Sequence, residues 1–191
     1  NRSAYARRKG VELPMPVHAA VPLSTLSDRG DAQADERARL EAALEQVIES
    51  VDFVVIDTPG SDTYLSRLAH TCADTLLTPL NDSFIDHDLL ARVDPDTLKV
   101  VRPSIYAEAV WKQRQLRAVQ GGRPVDWVVM RNRLSSLPAR NKRDMGPGVE
   151  ALARRIGFRI AAGLSERVIY KELFLNGLTL LDLKRGGAKR G

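Results

Sequence analysis

A single cysteine, Cys72, stands in 191 residues. It has no partner for an internal disulfide and no second thiol for a metal site, so the chain reads as one suited to a reducing cytoplasm, with Cys72 as inert packing. Long apolar runs are also missing. No stretch approaches the roughly 18 residues of a membrane-spanning helix. Arg2, Arg7, Arg8 and Lys9 have no apolar segment behind them, which argues against a signal peptide. Histidine is too sparse for a zinc site: the cluster Asp82, Asp86, His87 and Asp88 contains one, and reads as a solvated loop and helix start. No internal repeat is visible. Nor does the chain hold a G-x-x-x-x-G-K-[ST] loop, whose backbone N–H groups and lysine cradle nucleotide phosphates. The nearest run, Gly186-Gly187-Ala188-Lys189, has no glycine directly before the lysine and no hydroxyl after it. Phosphoryl transfer rests mostly on positioning and charge neutralisation, so the chain by itself is expected to be inactive in it.

What is present suits one globular domain, with 43% hydrophobic and 28% charged residues. The formal charge of +5 is local, because Lys184 to Gly191 hold four basic groups and no acid, and without them it falls to +1. That basic tail, 184–191, is expected to be disordered. The chain opens on Asn1 rather than Met and enters a basic, helix-like segment with no start signal, which leads to the expectation of a fragment or a processed chain.

The stretch Val51-Asp52-Phe53-Val54-Val55-Ile56-Asp57-Thr58-Pro59-Gly60 organises the rest. Phe53 to Ile56 is a mostly β-branched run between a polar pair and a Pro-Gly break, which predicts a strand buried on both faces of a parallel sheet. Asp57 would then sit at the strand's carboxyl end, where open α/β sheets bind ligands. The plainer alternative is an aspartate that merely caps a loop.

Around it, Leu40, Leu44, Val47 and Ile48 recur at helical spacing within the acidic segment Asp28 to Ser50. Glu12 to Pro16 breaks the basic helix before it, leaving a linker or an edge strand. Thr63 to Ala73 reads as a helix and Thr75 to Pro79 as the next buried strand, a right-handed crossover that would make this strand parallel to Phe53–Ile56. Residues 86 to 92 could add a helical turn. Pro103 to Gln120 reads as a helix ended by Gly121-Gly122, Trp127 to Met130 as a third strand and Phe158 to Ala161 as a fourth. Ser165 is placed as the N-cap of a helix over Glu166 to Phe174, and Leu178 to Leu183 as an apolar segment packed on the body. Between Arg131 and Arg159 eight basic residues face Asp144 and Glu150, a local net of +6 that could neutralise DNA phosphates or be a solvated face.

Ile56-Asp57-Thr58-Pro59-Gly60 resembles the Walker B element of the ParA/MinD deviant Walker ATPases. Within that group the chain is similar to the MipZ family, which positions the bacterial division plane. The likeness rests on Asp52 to Gly60, Thr78 to Phe84, Asp126 to Leu134, Gly157 to Ile160, and Arg167 to Phe174 with Gly177 to Leu183, five blocks in the same order. It implies an α/β fold of the P-loop NTPase kind, a mainly parallel sheet with helices on both faces, its first strand and P-loop missing here. Residues 1–183 would be the C-terminal part of one ATPase domain. It implies ATP and Mg²⁺ as cofactors, with Asp57 as the catalytic carboxylate acting on the metal through water. Thr58, Pro59 and Gly60 would form the switch near the γ-phosphate, and Asn132 would read the adenine. Arg140 matches a DNA-contacting position, and Lys142 and Arg143 join it on charge alone.

The implied behaviour is an ATP-dependent homodimer that binds DNA non-specifically, interacts with a ParB-like centromere-binding protein and inhibits FtsZ assembly. It would work in the cytoplasm, nucleoid-associated or polar, without a membrane partner. The family's upstream switch aspartate lies before Asn1, its usual last helix is replaced after Leu183 by Lys184-Arg185-Gly186-Gly187, and Asp144 and Ser165 stand where further basic residues are expected. The alternatives are a ParA-like partitioning ATPase, or a non-catalytic DNA or protein adaptor on the same scaffold.

Overall fold

The computed structural model describes residues 1–81, 89–94, 100–134 and 150–184. In chain order these hold α1 (Arg2–Lys9), α2 (Arg29–Glu45), α3 (Tyr64–Cys72), β1 (Thr75–Asn81), β2 (Ala91–Val93), β3 (Val100–Pro103), α4 (Ile105–Val119) and β4 (Asp126–Asn132). They continue with a helical stretch over 150–156, β5 (Arg159–Ala161), α5 (Val168–Leu175) and α6 (Leu180–Lys184).

Among the described residues the main sheet runs β1-β4-β5 and is parallel throughout. Parallel strands need covered faces. The core supplies that cover: Ala107 and Val110 of α4 and Leu152 of the 150–156 stretch pack with Leu80, Trp127, Val129 and Phe158. The architecture is therefore α/β with a mainly parallel sheet, as expected. Two polar links pass through this core. Trp127 Nε1 donates to Thr78 Oγ1 at 3.0 Å, and the Tyr106 hydroxyl shares a 2.7 Å hydrogen bond with the same oxygen.

Helix starts follow local chemistry. Asp28, Thr63 and Ser104 each accept a hydrogen bond from the backbone N–H three residues on, satisfying a donor that the first turn leaves open. Arg117 ties the far end of α4 to the end of α3, donating to the carbonyls of Thr71 and Ala73 and to Asp74.

The expected central strand is absent. Residues 51–59 carry no ladder, Phe53 is 88% exposed and Val55 90% exposed. A β-branched run favours extended backbone, but a buried strand also needs neighbours that hydrogen-bond its edges. Among the described residues no strand pairs with this stretch, and Ile56 packs against the cluster of Leu40, Leu68 and Ala69. Consequently β1 runs parallel to β4, not to Phe53–Ile56, and its other edge has no strand among the described residues.

Smaller differences have similar causes. Ser165 caps no helix: it bridges to Leu134 alongside the sheet, and α5 begins after Arg167 instead. Ile48 lies beyond the end of α2 and is 62% exposed. The antiparallel pair β2 and β3 was not foreseen, and Arg92 belongs to it rather than to a helical turn. Cys72 is exposed rather than packed inside. In α6 the buried residue is Asp182, not Leu180 or Leu181. Residues 12–16 carry no regular structure, while 82–88 and the tail 185–191 lie outside the described residues.

Candidate functional site

Asn132 owes its position to two strands and a return loop. Asn81 and Asn132 are register partners at the carboxyl ends of β1 and β4. The chain then turns through Arg133 with φ 52, the left-handed region that a non-glycine residue enters at a cost of order 1 kcal/mol. The turn is clamped by the segment before α5. Leu134 N donates to Leu164 O and Leu164 N donates to Arg131 O, both at 2.9 Å. Gly163 permits this approach, since a Cβ there would lie 2.8 Å from the Arg131 carbonyl oxygen. Asn132 is half-buried, its side chain an amide with donors and an acceptor.

Asp57 to Gly60 lie in the irregular segment before α3. Asp57, Pro59 and Gly60 are exposed and Thr58 is half-buried. A Cβ on Gly60 would meet nothing within 4 Å, so the backbone there has open room. Because 51–59 is not a strand, Asp57 stands at no strand end. No side-chain hydrogen bond or ion pair joins it to Asn132 among the described residues. Arg140, Lys142 and Arg143 lie outside the described residues, as do Asp82, Asp86, His87 and Asp88.

The basic tract between Arg131 and Arg159 is partly neutralised from within. Arg159 grips Asp126 with hydrogen bonds of 2.7 to 2.9 Å, which hold the Asp126 carboxyl below its usual pKa, and Arg133 lies 3.6 Å from Glu166. Asn81 stands at the carboxyl end of β1, as its place after Thr75 to Pro79 implies, whereas the strained Arg133 is announced by nothing in its own residue type. A positive φ at arginine has no sequence marker, and Gly163 was its only faint signal.

The residues present fit a nucleotide in part. An amide at a strand end suits the polar edge of a base, and a free carboxylate suits one water-mediated metal contact. No group of three or more metal-ligating side chains occurs among the described residues. The 191 residues hold no G-x-x-x-x-G-K-[ST] loop.

No helix among the described residues is long and apolar enough to cross a membrane. No curated protein matches the chain. A family model described as ATPase MipZ matches residues 1–191. The sheet is of the kind that such ATPases use, and the match takes in every block from Asp52 to Leu183 that carried the resemblance. The chain belongs to the MipZ family of ATPases, proteins of division-site positioning.

Proposed function

We propose that residues 1–183 are the C-terminal part of a MipZ-type ATPase domain and carry half of its nucleotide switch. Asp57 is the carboxylate that reaches Mg²⁺ through water, Thr58 to Gly60 are the segment that senses the γ-phosphate, and Asn132 reads the adenine. The whole ATPase would be monomeric without ATP and dimeric with it. As a dimer it would bind DNA non-specifically, using Arg140, Lys142 and Arg143, engage a ParB-like protein and inhibit FtsZ assembly.

The observation that supports this reading best is the pairing of Asn81 with Asn132 at the carboxyl ends of adjacent parallel strands, the edge where α/β sheets receive ligands. The chain by itself would not hydrolyse ATP, because its sequence holds no G-x-x-x-x-G-K-[ST] loop to position and neutralise the phosphates.

Light scattering with ATP and Mg²⁺ tests the reading. The isolated chain should stay in one oligomeric state, and a clean ATP-driven shift from monomer to dimer would overturn the half-site. Sequencing the coding DNA upstream of Asn1 tests the whole: an in-frame strand, glycine-rich loop and helix supports it. DNA binding with a steep salt dependence and no response to ATP favours the adaptor instead.

A further inference from the structure

We propose that the cleft between α2, α3 and α4 is a second ligand site, built for a small organic phosphate and separate from Asp57 and Asn132. The cavity holds about 450 Å³, within the range of small-molecule sites. Four cations line it: Arg29 and Arg37 from α2, Arg67 from α3 and Lys112 from α4. Two carboxylates stand near them, Glu41 at 3.5 Å from Arg37 and Asp62 at 3.4 Å from Arg67. Both pairs are exposed and long, the class of ion pair that contributes least and gives way most readily to a stronger anion. Arg29 and Lys112 have no carboxylate within 4.0 Å among the described residues.

Part of the wall between these cations is apolar, beside the polar groups of Tyr64, Thr71, Gln113 and Gln120. Leu68, buried at 7% exposure, Ala109 and Leu116 also line the cleft. A bare anion would leave that wall wet, and a hydrocarbon would leave the cations unused. A phosphate ester satisfies both, because planar guanidinium forks bind phosphate oxygens bidentately while the ester's apolar body covers the leucines.

Cys72 lines the same cleft and is the chain's single cysteine, so its alkylation reports on occupancy. Partial desolvation by the cleft wall raises the thiol's pKa although the residue is exposed overall, so labelling runs at mildly alkaline pH. The experiment follows the rate at which N-ethylmaleimide, a neutral reagent, modifies the full chain in the presence of naphthyl phosphate, naphthol, inorganic phosphate or duplex DNA. Naphthyl phosphate should slow the reaction saturably, about threefold at twice its Kd. Naphthol and inorganic phosphate should each protect far less at equal concentration. The double variant Arg29→Glu with Lys112→Glu, at exposed positions, should keep its circular dichroism and lose the protection. Unchanged alkylation with naphthyl phosphate overturns the proposal, as does protection that survives the double variant. Stronger protection by duplex DNA would reassign the cations to a polymer backbone and overturn it too.

Discussion

Arg2 and Asp182 hold the two ends of the described chain together: Arg2 Nη1 and Nη2 reach the two carboxylate oxygens at 2.7 and 2.9 Å. Asp182 also accepts from Thr179 N and Oγ1, and Arg2 donates to the carbonyls of Pro14 and Gly177. The Arg2 hydrogen bonds, then those of Thr179, hold the Asp182 carboxyl well below the usual carboxylate range, against the opposing effect of burial. Replacing Arg2 by Ala should cost about 2 kcal/mol, since it leaves a buried carboxylate with only neutral donors. Urea unfolding midpoints measure it.

The same pair sets an acid dependence. Asp182's folded pKa lies below its unfolded one, so its contribution is complete above the unfolded value and is lost as the pH falls toward the folded value. Stability should therefore decline as the pH drops below about 5. Thermal melts across that range should show a shallower decline for Arg2→Ala than for the parent chain. Parallel curves would deny the pair this role.

Gly177 tests how closely α1 approaches the turn after α5. Its φ is +67 and an added Cβ would collide with the Arg2 backbone nitrogen, with the Arg2 Cα only 2.9 Å away. Gly10 has a similar φ of +61 but open space around it. Gly10→Ala should cost only the left-handed penalty of about 1 kcal/mol. Gly177→Ala should cost clearly more, because a backbone must also move. Equal losses in the unfolding midpoint would show that the close approach does not matter.

Thr78→Val keeps the shape of the core and removes one oxygen. Trp127 Nε1 and the Tyr106 hydroxyl would then share no acceptor, a loss of about 1–3 kcal/mol. Trp127 is 1% exposed and Trp111 56% exposed, so fluorescence in a Trp111→Phe background isolates the buried indole. Its emission should change with Thr78→Val, and an unaltered spectrum with unaltered stability would count against the network.

Val55 distinguishes a buried strand from an exposed extended segment. At 90% exposure, Val55→Asp should change the stability of this chain by less than about 0.5 kcal/mol. Val129→Asp, at a fully buried strand position, should prevent folding. A severe loss from Val55→Asp would mean that Phe53–Ile56 pairs with other strands after all.

Elements whose cause is local were legible in the residues. The α3 and α4 helices follow from apolar spacing, with Gly121-Gly122 closing the second, and β1, β4 and β5 lie on short runs rich in apolar residues, as expected. The β2–β3 pair was not legible, because its strands are only three and four residues long, too short to show an alternating pattern. Ser165 has the chemistry of a cap, yet hydrogen bonds on either side of it, from Leu134 N to Leu164 O and from Glu166 N to Leu134 O, draw its backbone alongside the sheet. At the candidate site Asn132 was visible through resemblance, whereas the left-handed Arg133 beside it was not.

The sequence by itself determined the α/β class, the membership of the MipZ family and the lack of a phosphate-binding loop, because each depends on residue type and spacing along the chain. Only the tertiary structure decided what is buried. Phe53 to Val55 have the composition of a core strand and stand in solvent, while Asp182 has the composition of a surface residue and is buried. The difference lies in partners that local sequence does not name: a strand is buried only where neighbours complete its ladder, and a carboxylate only where a cation such as Arg2 arrives from 180 residues away.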